Sequence, residues 1–141
     1  MKKNKFLVVG SGRLGSNIAT KMSEKGEDVI IIDATDDSFR KLHESFSGYQ
    51  VVGDATDLSV LDNAFIKQAK TAVIATDKDN VNIFLAHVCY HVYNVPKIFV
   101  RISDTDKGKL LSGTNIKVIY PFNLSLDAFF DLNECEEEEW K

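Results

Sequence analysis

The chain reads as an α/β domain with a doubly wound, six-stranded parallel sheet in the order 3-2-1-4-5-6 and a last helix after it. Three observations predict this. Short apolar runs alternate with segments of helical spacing along the whole sequence. The connections between them are short, as parallel βαβ units require. The first run enters Gly10-x-Gly12-x-x-Gly15, and an acid, Asp33, closes the second run 18 residues after the last glycine, the spacing of a dinucleotide-binding fingerprint.

Each element has its own signal. Lys5 to Val9 is an apolar run suited to a strand buried on both faces. From Gly12 to Lys25, Leu14, Ile18, Ala19 and Met22 keep helical spacing until Gly26 ends it. Val29 to Ile32 is an unbroken β-branched run, the mark of a central strand. Asp36 to Ser47 places Phe39, Leu42 and Phe46 at helical spacing, and Tyr49 to Val52 is a third strand closed by Gly53-Asp54. Asp57 to Ala69 predicts a helix through Leu58, Leu61, Phe65 and Ile66, and Thr71 to Ala75 a fourth strand. Asn80 to Tyr93 predicts a long helix that Pro96 keeps from extending. A fifth strand follows at Ile98 to Ile102, a helix at Asp104 to Leu111 and a sixth strand at Ile116 to Ile119. Pro121 then opens a final helix to about Leu132. The result is a Rossmann-like domain whose right-handed crossovers place the ligand crevice between the first and fourth strands.

At 141 residues the chain is long enough for one domain with a real core. We read residues 1–133 as that domain and 134–141 (ECEEEEWK) as a solvated, disordered acidic tail. With 44% hydrophobic and 27% charged residues the composition is that of a globular protein, and a net charge of −4 argues against a nucleic-acid partner. Two cysteines, Cys89 and Cys135, fit free thiols in a reducing compartment. The basic start, MKKNK, leads an apolar stretch too short for a signal peptide. No run approaches the ~18 apolar residues that span a bilayer, so any membrane role is expected through a partner.

The chemistry concentrates at the carboxyl ends of the strands. Gly10 permits the tight turn, Gly12 admits a pyrophosphate against the backbone, and Gly15 lets the helix lie close to the strand. The phosphate-binding segment is therefore Gly10, Ser11, Gly12, Arg13, Leu14 and Gly15, at a helix start whose free N–H groups favour anions. Arg13 can reach ligand phosphates, its own or a neighbouring subunit's. Asp33, followed by Ala34, is placed to accept ribose hydroxyls; a carboxylate there repels a 2′-phosphate and so favours NAD over NADP, while suiting ATP, ADP and AMP equally. Asp54 can take the exocyclic amine of adenine and the Ala55 N–H its ring. Ala75, Thr76 and Asp77 follow the fourth strand and can wall the ribose. Capping and turn formation are the competing roles for these residues, with Asp57 or Thr56 the expected helix cap.

Other constellations lead less far. His87 and His91 share a helix face, but Cys89 points about 200° away from His87, so no metal site is expected. Tyr93-x-x-x-Lys97 imitates the catalytic pair of short-chain dehydrogenases, yet Pro96 interrupts the single helix that pair needs. The helix from Asn80 to Tyr93 is apolar almost all round, through Val81, Ile83, Phe84, Leu85, Ala86, Val88 and Val92; Phe122, Leu124, Leu126, Phe129 and Phe130 repeat the pattern on the last helix. A helix covering one sheet face needs only a stripe, so both are expected at a subunit interface.

The segments VVGSGRLG, the acid after III, VVGDATD, TAVIATDKDNVN, KIFVRISD and IKVIYPFNLS together resemble the N-terminal domain of regulators of potassium conductance, the TrkA-N or KTN family. The likeness runs over about residues 5 to 132. It implies a cytosolic subunit, peripheral to the inner face of the membrane, that regulates a membrane-embedded potassium transporter or channel of Trk or Ktr type. It implies dimers built into rings, and NAD, NADH or an adenine nucleotide at the glycine turn. Arg13 matches an arginine that contacts phosphates in the family, Asp33 and Asp54 match its ribose and adenine acids, and Arg101 matches an arginine to which no role is assigned. Pro121 to Leu132 resembles the crossover helix that members swap between subunits. Many members carry a second, C-terminal domain that is missing here; the acidic end favours a naturally short subunit working with a second type of regulatory subunit over a piece of a longer one. The expectation is a regulatory binding protein, not an enzyme. Its rival is an NAD-dependent oxidoreductase, or the cofactor half of one, for which no substrate site or acid–base group stands out.

Overall fold

A computed structural model describes residues 2–135; most of the acidic tail, residues 136–141, lies outside the described residues. Six strands, β1 (Lys5–Val9), β2 (Asp28–Asp33), β3 (Tyr49–Val52), β4 (Ala69–Ile74), β5 (Lys97–Arg101) and β6 (Lys117–Ile119), form one sheet in the order β3-β2-β1-β4-β5-β6. Every pairing is parallel. The order reverses between β1 and β4, where a doubly wound sheet opens its crevice. The helices are α1 (Arg13–Glu24), α2 (Leu58–Asn63), α3 (Asp79–His87) and α4 (Pro121–Asn133).

The apolar strands are explained by burial on both faces. Leu7, Val9, Ile30, Ile32, Ala72 and Ile74 point into a core shared with α2 and α3. Their alternates, Phe6, Val8, Val29, Ile31 and Val73, point into a second core under α1. Adjacent residues of one strand thus serve opposite cores, and no polar position is left to show an alternation. α1 ends as expected: Gly26, at φ 89°, takes the left-handed turn, with its N–H on Ser23 and the Glu27 N–H on Met22, the Schellman pattern.

Three expected helices are cut short, each for a tertiary reason. Asp36 to Ser47 yields only a 3₁₀ segment, Asp36–Lys41. The Ser38 carbonyl, which a continuing α-helix would use, accepts from the Ser11 hydroxyl at 3.0 Å, while the Leu42 N–H turns back to Phe39. Asp57 to Ala69 breaks at Phe65, whose left-handed φ of 61° ends α2 before the 3₁₀ turn Ile66–Gln68. The long helix is α-helical only to His87; Val88–Val92 is a π turn, and Asn94 at φ 53° finishes it ahead of Pro96. Thr105–Leu111 is likewise 3₁₀. Among the described residues no helix is long and apolar enough to cross a membrane.

Candidate nucleotide-binding crevice

The carboxyl ends of β1, β2, β3 and β4 surround a crevice of 670 Å³, within the range of small-molecule sites. Gly10 makes its floor. With φ at 100°, it brings the chain so close to β4 that a Cβ would lie 2.7 Å from the Ala75 carbonyl oxygen. Gly12 stands at the helix cap with no side chain capping α1, and nothing lies within 4 Å of where its Cβ would be. The first amides of α1 therefore face open space. Gly15 is the packing glycine: a Cβ would sit 1.8 Å from the Gly10 carbonyl oxygen.

Asp33 closes the turn from the β2 side. Its Oδ2 accepts from the Ser11 N–H at 2.7 Å and its Oδ1 from the Thr35 N–H at 3.1 Å. Each oxygen keeps a further lone pair for a ribose hydroxyl. Asp54, at the end of β3, accepts from the Thr56 hydroxyl at 2.7 Å and its N–H at 2.9 Å. Those two bonds hold its carboxyl below the ordinary carboxylate value, so it stays an acceptor at neutral pH. Asp57, not Thr56, caps α2, accepting from the Ser59 N–H.

Gly10, Ser11, Gly12, Arg13, Asp33 and Ala34 line the crevice from one side. Asp54, Ala55, Ala75, Thr76, Asp77 and Arg101 complete the wall. Leu14 and Gly15 do not line it: Leu14 packs into the core under α1, and Gly15 lies behind the turn. Sequence reasoning missed Ser38, Lys41, Lys78 and Val81, which also line it. With Arg13, Lys41, Lys78 and Arg101 against Asp33, Asp54 and Asp77, cations outnumber carboxylates in a chain that is acidic overall. That local balance suits an anionic ligand.

A sequence profile of the TrkA-N domain matches residues 6–121. The chain belongs to the TrkA-N domain family. A Trk system potassium uptake protein TrkA homolog from Pyrococcus abyssi is 34% identical over 127 residues, 90% of this chain and 52% of that protein. The chain spans about half the length of the curated relatives it matches. The TrkA-N domain of the inner membrane protein ybaL from Escherichia coli shares the fold, with a TM-score of 0.81 at 19% identity, over 94% of this chain and 98% of that one. The structure of GsuK bound to ADP matches with a TM-score of 0.77 at 25% identity, over 93% of this chain and 34% of that one.

Beyond the lining, the TrkA-N crevice has a frame that the sequence did not disclose. Asn82, fully buried on α3, donates to the Thr76 carbonyl at 3.0 Å and the Arg101 carbonyl at 2.8 Å. Its Oδ1 accepts from the Thr76 N–H and hydroxyl. Three residues earlier, Asp79 accepts from the Ser103 and Asp104 N–H groups, each at 2.9 Å. A polar residue at each of these positions, at the start of a helix whose later residues Ile83 to Ala86 are all apolar, was the available signal.

Asp79 also gives a pH dependence. Partial burial works against its charge, but the Ser103 and Asp104 amides, with Lys107 and Arg101 nearby, outweigh burial and hold the carboxyl below its ordinary 3.8. A depressed folded-state value stabilises the fold above pH 3.8, and that stabilisation is lost as pH falls through the lower, folded-state value. Asp79→Asn is expected to lower the melting temperature at pH 7 and to shrink the acid-induced drop below pH 3.8. Identical acid limbs in the two proteins would exclude this carboxylate as a contributor.

The remaining candidates fall outside the TrkA-N crevice. His87 bonds the Leu110 carbonyl at 2.8 Å and stacks on His91 at 5.5 Å. Burial pushes the Cys89 thiol up to about 12, so it is protonated at neutral pH. Among the described residues no group of three metal-ligating side chains comes together. The Tyr93 hydroxyl donates to Asp62 at 3.2 Å, and Lys97 opens β5, so they share no helix. The apolar surplus of α3 and the π turn after it is smaller than expected: Ile83, Leu85, Ala86 and Val88 are all core, leaving Phe84 and Val92 exposed. On α4 the apolar surplus is exposed throughout. No residue of α4 is buried, and Phe122, Leu124, Leu126, Phe129, Phe130 and Leu132 all face outward.

Proposed function

We propose that this chain is the nucleotide-sensing part of a regulator of potassium transport, binding NAD or NADH, or else ATP, ADP or AMP, without turning it over. The observation that carries this reading is the glycine turn opened beside Asp33 and Asp54, with Arg13 at the start of α1. It offers phosphate amides, a ribose acceptor and an adenine acceptor within one crevice. The potassium-uptake names of the relatives and the ADP-bound GsuK structure support the same reading. In it, the domain works at the cytosolic face of the membrane beneath an embedded transporter or channel. Ligands bias that partner by binding two shapes of the assembly with different affinity.

Calorimetric titration of the purified chain against NAD, NADH, ATP, ADP and AMP tests the reading. Saturable binding of at least one, with no NADH consumed over a panel of small carbonyl compounds and no NAD reduced over a panel of small hydroxy acids, is expected. Binding of none, or substrate-dependent NADH turnover, defeats it.

The assembly follows from α4. A helix with large apolar side chains and nothing buried is stabilised by docking on another copy. The native mass is expected to be that of a dimer or a larger ring, and Phe129→Asp with Phe130→Asp is expected to yield monomers that still bind nucleotide. A wild-type monomer at micromolar concentration would refute it.

A further inference from the structure

The crevice has two halves, and one residue outside its lining holds the second together. The near half, over β2 and β3, presents Asp33, Asp54 and Ala55. The far half, over β4 and β5, presents Thr76, Asp77, Lys78 and Arg101. The β4–β5 ladder ends at the pair Ile74 and Val100, so the strands have no backbone rung where Thr76 and Arg101 enter the crevice. Asn82 supplies the missing connection. Its amide gives one N–H to the carbonyl of Thr76 and the other to that of Arg101, and its oxygen takes both donors of Thr76. That uses the full bonding capacity of the side chain. Buried amides bonded in this way fix geometry strongly, because any departure leaves a polar group unpaired in a low-dielectric interior.

The position does not need an amide for packing. Ile83, Leu85 and Ala86, the other buried residues of α3, are all apolar, and Asn82 alone of the buried positions carries an amide. The two segments it joins are the two that wall the far half. In a doubly wound domain the first half of the sheet takes the adenosine of a dinucleotide and the second half takes the remainder. A mononucleotide has nothing to place there beyond its phosphates.

We propose that Asn82 is a positioning residue that preforms the far half of the crevice, so that it sets affinity for the second half of a dinucleotide and leaves mononucleotide affinity unchanged. This rests on the nucleotide-binding reading above and sharpens its ligand class to a dinucleotide.

The test titrates NAD and AMP into wild-type protein, Asn82→Ser and Asn82→Asp, each well below its own melting temperature. In Asn82→Asp the shape is kept, but two donors become acceptors facing two carbonyls. The variants are expected to raise Kd for NAD about tenfold or more, the effect of losing one to two hydrogen bonds, while Kd for AMP moves less than about threefold. A residue that merely supports the fold would lower the melting temperature and shift both ligands together or neither, and that result overturns the proposal. Wild-type protein that binds AMP and NAD equally well also overturns it, because the far half then contributes nothing; nucleotide sensing would still stand. Wild-type protein that binds neither removes both. Should the variants not fold, amide exchange in the wild type decides. Slower exchange at Thr76, whose N–H is held by Asn82, with NAD than with AMP supports the proposal, and equal protection overturns it.

Discussion

Gly12→Asp is expected to abolish nucleotide binding without weakening the fold. The position has φ −78° and ψ −165°, extended backbone open to any residue, and no atom within 4 Å of the new Cβ. It is also the cap of α1, where no side chain now bonds the first-turn amides. Aspartate is among the best residues for that role, better than glycine by a few tenths of a kcal/mol. The melting temperature is therefore expected to hold or rise slightly. Binding goes the other way. The carboxylate occupies the space where a pyrophosphate would approach the backbone, and like charges at that distance cost several kcal/mol, which is ~100-fold or more in Kd. Calorimetry and a melting curve on the same preparation separate the two effects. A variant that binds as tightly as wild type would place the phosphates elsewhere and undo the assignment of the glycine turn.

Gly15→Ala is expected to do the reverse, breaking the fold first. One methyl group would lie 1.8 Å from the Gly10 carbonyl oxygen and 3.4 Å from the Val8 side chain. The first contact is with backbone, which has no rotamer to escape into, so α1 must move away from β1. Ser16, Ala19 and Thr20 on the buried face of α1 move with it. Overpacking of this kind costs ~3 kcal/mol or more, or about 10 °C in melting temperature for a domain of this size. Urea denaturation of both proteins measures it. An alanine variant as stable as wild type would mean that α1 does not pack on β1 at this distance. The two glycines are three residues apart in one motif, yet one serves the ligand and the other the core.

The centre of the sheet was legible because β1, β2 and β4 each serve two cores. Val29 to Ile32 has no polar residue, and only a parallel strand buried on both faces asks for that. The glycine turn and Asp33 were legible because their spacing is dictated by backbone geometry. What stayed hidden depends on partners distant in sequence. Phe39, Leu42 and Phe46 keep helical spacing, but the Ser11 hydroxyl claims the Ser38 carbonyl and the helix does not continue. Ser38 and Lys41 reach the crevice for the same reason, from a segment read as an ordinary helix. Asn82 looked like one more polar residue in the first turn of a helix, beside Asp79 and Asn80. Its role emerges only when the carbonyls of Thr76 and Arg101, 19 residues away in the second case, turn toward it.

The bonds from Ser11 to Asp33 and Ser38 have one more consequence, for kinetics. They latch the glycine turn to the end of β2 and to the 3₁₀ segment that follows it. The ordering of these segments is settled when the chain folds, so an arriving nucleotide does not have to organise them. Association is then governed by encounter and by the cations around the mouth, and differences among nucleotides fall on how long each one stays. Under the proposed sensing role, the domain would report its message through residence time.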